Sequence, residues 1–123
     1  MHVEARWRLG ALLAASLAIG TPQLPAVADV SAGEAVFQLK CAACHAQGGN
    51  AINPMKTLKA PALEASGFAT QEAIVRLVSN GKGQMPSYGP KAPPFARLTD
   101  EQIADVAEYV RAQAADGWTK SAP

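Results

Sequence analysis

Cys41-Ala42-Ala43-Cys44-His45 is the stretch from which the fold and chemistry of this chain can be read. Two thiols three residues apart lie on one side of a helical turn. Each S–H can add across a haem vinyl group, and the histidine that follows can turn its imidazole onto the iron. Cys41 and Cys44 are the only cysteines, and the only other histidine, His2, sits in a segment that reads as removable. A zinc site normally needs four ligands, and two cysteines with one histidine fall one short. A thioredoxin-like redox pair needs a βαβ setting, of which the sequence has no sign. A Cys41–Cys44 disulfide would close too short a loop to constrain the chain, and it leaves His45 unexplained. Covalent attachment of one haem c uses all three residues.

Upstream of the motif, residues 1–28 read as an export signal. Arg6 and Arg8 make a basic start, Leu9 to Gly20 is an apolar run, and Ala26-Val27-Ala28 offers a cleavage site before Asp29. The alternative, a retained membrane anchor, needs about 20 apolar residues, and this run is shorter. Trp7 separates the arginines, so the pattern is not a twin-arginine signal. Residues 29–123 then form a single domain.

The whole chain carries 11 basic and 10 acidic residues; loss of Arg6, Arg8 and Glu4 leaves the exported part formally neutral. No basic stripe points to nucleic acid or an anionic membrane as partner. A domain of this size builds a modest core, which a buried cofactor would complete. The expected state is a monomer.

Helical periodicity dominates the exported part, and no alternating strand pattern appears. Ser31 with Glu34 reads as a capping box opening a helix with Ala32, Ala35, Val36 and Leu39 on its apolar face. That helix is expected to run into the cysteines and end at Gly48-Gly49-Asn50. A short helix is expected around Leu58 to Ala65, with Pro61 in its first turn. Thr70 caps the next, which carries Ile74, Leu77 and Val78 and stops at Asn80-Gly81. After a loop rich in glycine and proline, Thr99 and Gln102 box the last helix, whose stripe is Ile103, Val106, Ala107, Val110 and Ala114. Phe37, Tyr109 and Trp118 are expected to pack where the first and last helices cross, with Gly33 permitting a close approach.

With His45 used as one ligand, methionine is the strongest candidate for the sixth position. Met85 is 40 residues downstream in a loop, far enough to wrap round the ring, and Pro86 stiffens the backbone behind it. Met55 lies ten residues from His45 and reads as core filler or surface. An open sixth position is the remaining alternative. Ligation by His45 and Met85 leaves no site for substrate and favours Fe(II), which suits a one-electron carrier rather than an enzyme. Lys56 and Thr57 are candidate haem contacts, or else a solvated lysine and a local cap. Asn50 either holds the loop beside the haem or simply makes a turn.

These residues, with Gly33-Glu34-Ala35-Val36-Phe37, Lys56-Thr57-Leu58, Asn80-Gly81-Lys82-Gly83 before Met85-Pro86, and Gly117-Trp118, resemble the cytochrome c6 family of class I c-type cytochromes. The resemblance implies an all-α fold of about four helices around a covalently bound haem, with His45 and Met85 as axial ligands. It implies a soluble carrier in the thylakoid lumen, taking electrons from the cytochrome b6f complex to photosystem I or a terminal oxidase. The alternatives are a periplasmic cytochrome serving another oxidase or dehydrogenase, and a haem-based small-ligand sensor. Two features depart from the family's pattern. Pro90-Lys91-Ala92-Pro93-Pro94-Phe95-Ala96 lengthens the connection before the last helix, and Leu77 stands where many members have glutamine. The second resembles lower-potential variants. The plant-type variant with a second cysteine pair is excluded, because no further cysteines exist.

Overall fold

The first and last long helices cross and form the frame that carries everything else. A computed structural model of the chain describes residues 28–119. Apart from Ala28, the expected export signal lies outside the described residues. Four helices of seven to sixteen residues and one four-residue turn make up the fold. Among the described residues no helix is long and apolar enough to cross a membrane.

Helix α1 (Val30–Lys40) starts from Asp29 rather than from a Ser31–Glu34 box. The Asp29 carboxylate accepts from the backbone N–H groups of Ser31 at 2.9 Å and Ala32 at 3.2 Å. A negatively charged cap outside the helix satisfies two orphan donors and is stabilised by the positive end of the helix dipole. The buried face matches expectation at Gly33, Val36 and Phe37, which point inward, but not at Ala35, which is exposed, or at Leu39, which is 82% exposed. Gly33 explains the difference: a Cβ there would overlap the Asp105 carbonyl oxygen and lie 2.9 Å from Tyr109 Cβ. The helix turns toward its partner the one residue that has no side chain to collide.

α1 does not continue through the cysteines. Cys41 leaves the helix at φ −117°, and α2 (Ala42–His45) is a single separate turn. A 3₁₀ turn, Ala46–Gly48, follows, with Gln47 and Gly48 at φ +53° and +79°. Helix α3 (Ala60–Ser66) has Pro61 in its first turn but starts later than expected. Leu58 stays outside the helix, in a bend, with its N–H donating to the Gly48 carbonyl at 2.8 Å.

Helices α4 (Gln71–Asn80) and α5 (Asp100–Ala115) match the sequence reading closely. Thr70 caps α4 and Gly81 ends it, with Ala73, Ile74 and Val78 buried and Leu77 half-buried. Both halves of the Thr99–Gln102 box form, at 3.0 and 2.9 Å. Ile103, Val106, Ala107 and Val110 are buried, and Ala114 is half-buried. Two buried polar residues on α5 were not expected, Asp105 and Gln113.

At the α1–α5 crossing, Phe37 lies 5.2 Å from Tyr109 and 5.4 Å from Trp118, and Tyr109 meets Trp118 edge-on at 5.9 Å. Each such pair adds about 0.5–1.5 kcal/mol beyond its buried area. Across the long connection, Tyr88 and Gly89 donate backbone N–H bonds to Val78 and Ser79. The insertion is ordered by its own bonds: Ala92 is buried, Pro94–Ala96 makes a 3₁₀ turn, and Arg97 Nη2 donates to the Ala92 carbonyl at 2.7 Å. Phe95 is left 86% exposed.

Candidate functional site

The helices and loops enclose a cavity of about 580 Å³, within the roughly 300–1,000 Å³ usual for cofactor clefts. Cys41, Cys44 and His45 line it from the end of α1 and from α2, and Asn50, Lys56 and Thr57 line it from the following loop. Leu77 contributes from α4, and Met85 from the loop after it. Every residue singled out in the sequence as a haem contact or ligand therefore borders one space. Leu58, Leu63, Phe68, Tyr88 and Val110 border it too, and the sequence did not mark them as site residues. Their only signal is apolar or aromatic character, which a cavity wall shares with an ordinary core.

His45 is oriented by its neighbour in the turn. Its Nδ1 lies 2.8 Å from the Gly49 carbonyl oxygen. A carbonyl only accepts, so Nδ1 carries the proton and Nε2 keeps its lone pair free. That second bond fixes the tautomer and ring plane, as is usual for histidines that bind metals. The loop carrying Gly49 is held in turn by Asn50. Asn50 Nδ2 donates to the Lys56 carbonyl at 2.9 Å, and its Oδ1 accepts from Ile52 and Asn53 N–H at 3.0 and 2.9 Å. Lys56 Nζ lies 3.4 Å from Ser66 Oγ, and Thr57 Oγ1 accepts from Lys59 N–H at 3.4 Å, a local cap.

Met85 is half-buried and exchanges both backbone bonds with Lys82, at 3.0 Å each. Gly81, at φ +74°, closes that small loop: a Cβ there would lie 2.7 Å from the Met85 carbonyl oxygen. Met55 is 82% exposed and does not border the cavity.

Tyr88 donates its hydroxyl to the Lys40 carbonyl at 3.0 Å, tying the far wall to the end of α1. Burial, then the Cys41 and Cys44 thiols, hold its phenol above the ordinary range, so it stays a donor. Burial likewise pushes the Cys41 thiol up to about 11. At neutral pH the buried group is therefore the uncharged thiol. Among the described residues no group of three or more His, Cys, Asp and Glu side chains is placed to hold a metal ion.

A family model described as cytochrome c oxidase, cbb3-type, subunit III matches residues 28–110. Cytochrome c6 of Cyanidioschyzon merolae is 54% identical over 91 residues, 74% of this chain and 81% of that protein. Cytochrome c6 of Pyropia yezoensis is 49% identical over 100 residues, 81% of this chain and 86% of that protein. The chain belongs to the cytochrome c6 family. The crystal structure of cytochrome c6 from the diatom Phaeodactylum tricornutum superposes with a TM-score of 0.66 at 47% identity, covering 73% of this chain and 99% of that one.

The fold is thus that of a class I c-type cytochrome, and membership implies one covalently bound haem c and a role in electron transport. The residues present fit that group: two free thiols one helical turn apart, an imidazole with its outer nitrogen free, and a largely apolar chamber. The bound haem supplies a one-electron iron couple. In this cytochrome c6 family member the two thiols would anchor that group, the imidazole held by the Gly49 carbonyl would face it, and the apolar walls would shield it from water.

Proposed function

We propose that this protein is a soluble one-electron carrier whose haem is bound through Cys41 and Cys44 and axially ligated by His45 and Met85. The free Nε2 of His45, set by the 2.8 Å bond from Nδ1 to Gly49, is the observation that carries the reading. Met85 is supported by its place on the cavity wall and its backbone pairing with Lys82, and the exposure of Met55 speaks against the competing thioether. A neutral thioether favours Fe(II), and two filled axial positions leave no room for substrate. Asn50 keeps the loop in place, Lys56 is available to a haem carboxylate, and Leu77 supplies an aliphatic wall.

The partners are the cytochrome b6f complex as donor and photosystem I or a terminal oxidase as acceptor, in the thylakoid lumen. Leu77 favours a second reading, in which a lower potential suits an oxidase or dehydrogenase in a periplasm. A midpoint potential like that of plastocyanin supports the first, and a clearly lower one the second.

The ligand set is tested on the exported holoprotein. The oxidised form should show the weak far-red band of sulfur-to-iron charge transfer, and the reduced form should resist carbon monoxide. Met85→Ala should abolish the band and admit carbon monoxide, while Met55→Ala should leave both unchanged. A wild-type protein that lacks the band and binds carbon monoxide rapidly is a ligand sensor, and the carrier reading then fails.

A further inference from the structure

Asp105 is 6% exposed and faces α1 from the middle of the fold's main helix crossing. Buried carboxylates are ordinarily paired with a cation. Among the described residues the ion pair formed is Arg111–Glu108, on the surface, and no side-chain cation reaches Asp105. What reaches it is the backbone N–H of Asp29, at 2.7 Å and from 76 residues away in sequence. Asp29 is also the residue that follows Ala26-Val27-Ala28.

We propose that the missing cation is the α-ammonium group created when the export signal is removed. The inference rests on cleavage after Ala28. A signal peptidase hydrolyses the Ala28–Asp29 peptide bond: the C–N bond breaks, and water supplies the second oxygen of the Ala28 carboxylate. The Asp29 nitrogen leaves as an amine, which is protonated at neutral pH, since α-amino groups titrate near 7.7–8.0. The amide N–H that Asp105 accepts in the precursor becomes an N⁺–H on the same atom. The spacing already present is that of a charge-assisted bond, about 2.7–2.9 Å, so no backbone need move.

The local surroundings decide the balance. An ammonium at the start of α1 opposes the helix dipole. Two carboxylates answer it: Asp29's own, which caps Ser31 and Ala32, and that of Asp105. Asp29 is exposed, so its nitrogen keeps water on its outer side while the buried partner gains a counter-charge. The pair also sits one turn from Gly33, whose N–H bonds the Asp29 carbonyl at 2.9 Å and whose Cα meets the Asp105 backbone. Signal removal therefore locks the α1–α5 crossing at its tightest point.

The experiment is a cycle on four exported holoproteins. One begins at Asp29; a second has its cleavage site moved upstream, so that Ala26-Val27-Ala28 is retained. The other two carry Asp105→Asn in each form. Retaining three residues keeps the Asp29 N–H and moves the ammonium up to about 10 Å away. With Asp105 present, the extension should lower the folding constant about tenfold, read as a Tm lower by about 5 °C or more. In the Asp105→Asn background it should shift Tm by less than about 1 °C. Equal shifts in both backgrounds overturn the proposal, and so does a mature N-terminus other than Asp29 by intact mass. Should Asp105→Asn fail to fold, cyanate carbamylation supplies the second reading: the paired amine should react at least about tenfold more slowly than that of the extended protein, and equal rates overturn the pairing. The haem spectrum of each protein reads the carrier assignment separately.

Discussion

Replacing Trp118 by phenylalanine removes one N–H and leaves a six-membered ring against Phe37 and Tyr109. That N–H matters because of where it leads. Trp118 Nε1 donates to the Leu58 carbonyl at 3.0 Å, Leu58 N–H donates to the Gly48 carbonyl at 2.8 Å, and the next carbonyl, on Gly49, accepts from His45 Nδ1. The C-terminal tryptophan thus braces, through two backbone links, the peptide that aims the imidazole. Losing one neutral hydrogen bond costs about 0.5–1.5 kcal/mol. For a domain of this size each kcal/mol is worth about 4–8 °C in Tm. Trp118→Phe should therefore melt about 2–12 °C lower in holoprotein followed by far-ultraviolet circular dichroism. Trp118→Ala also loses the ring contacts at 5.4 and 5.9 Å, two pairs worth about 0.5–1.5 kcal/mol each, and should lose about 1.5–4.5 kcal/mol in total. Hydrogen exchange localises the effect. In Trp118→Phe the Leu58 amide should exchange faster by more than the global loss of stability explains, while the Val106 amide should follow the global change alone. A Tm within 1 °C of wild type, or a phenylalanine variant as unstable as the alanine one, would refute this chain of bracing.

Two further predictions concern the site and its frame. Leu77→Gln places an amide on the cavity wall, where an N–H donor stabilises the added electron. One bond of about 0.5–1.5 kcal/mol corresponds to about 20–65 mV for a one-electron couple, so the midpoint potential should rise by that amount. Spectroelectrochemical titration checks it, and an unchanged or lower value contradicts the assignment of Leu77 to the haem wall. Gly33→Ala drives a methyl into the Asp105 carbonyl, which no side-chain rotation relieves. Overpacking of this kind costs about 1–3 kcal/mol, so Tm should fall by roughly 5–20 °C. Gly67→Ala, where nothing lies within 4 Å, should cost less despite its φ of +82°.

Several of the residues that line the cavity, from the motif onward, could be picked out from the sequence. Cys41, Cys44 and His45 carry their meaning in spacing alone, and Met85 could be separated from Met55 by chain length and a following proline. Helix ends set by glycine or a Thr–Gln box were equally readable, because those signals are local. What failed was the extent of α1 and the placing of Ala35 and Leu39 on its inner face. Ala35 and Leu39 satisfy a helical apolar period as well as Val36 and Phe37 do, and only the approach of α5 at Gly33 decides which face goes inside. The same long-range cause hid Asp105, a charged residue on an otherwise apolar face whose partner is 76 residues away. Leu58 was read as helical because its bond to Gly48 belongs to the tertiary fold. Cavity-wall residues such as Phe68 and Leu63 were invisible as such, since a space kept for a cofactor and a filled core select the same side chains.

The insertion after Tyr88 enters and leaves the fold at almost one point. Leu98 N–H donates to the Tyr88 carbonyl at 2.8 Å, so the segment between them hangs from a closed neck. None of Pro90 to Ala96 borders the haem cavity, and Phe95 projects into solvent from a turn stiffened by Pro93 and Pro94. Residues hung in this way can be lengthened, shortened or exchanged while the redox centre keeps its ligands and its walls. The length and composition of this segment and the lining of the cavity are therefore separable traits, each free to change under selection without altering the other.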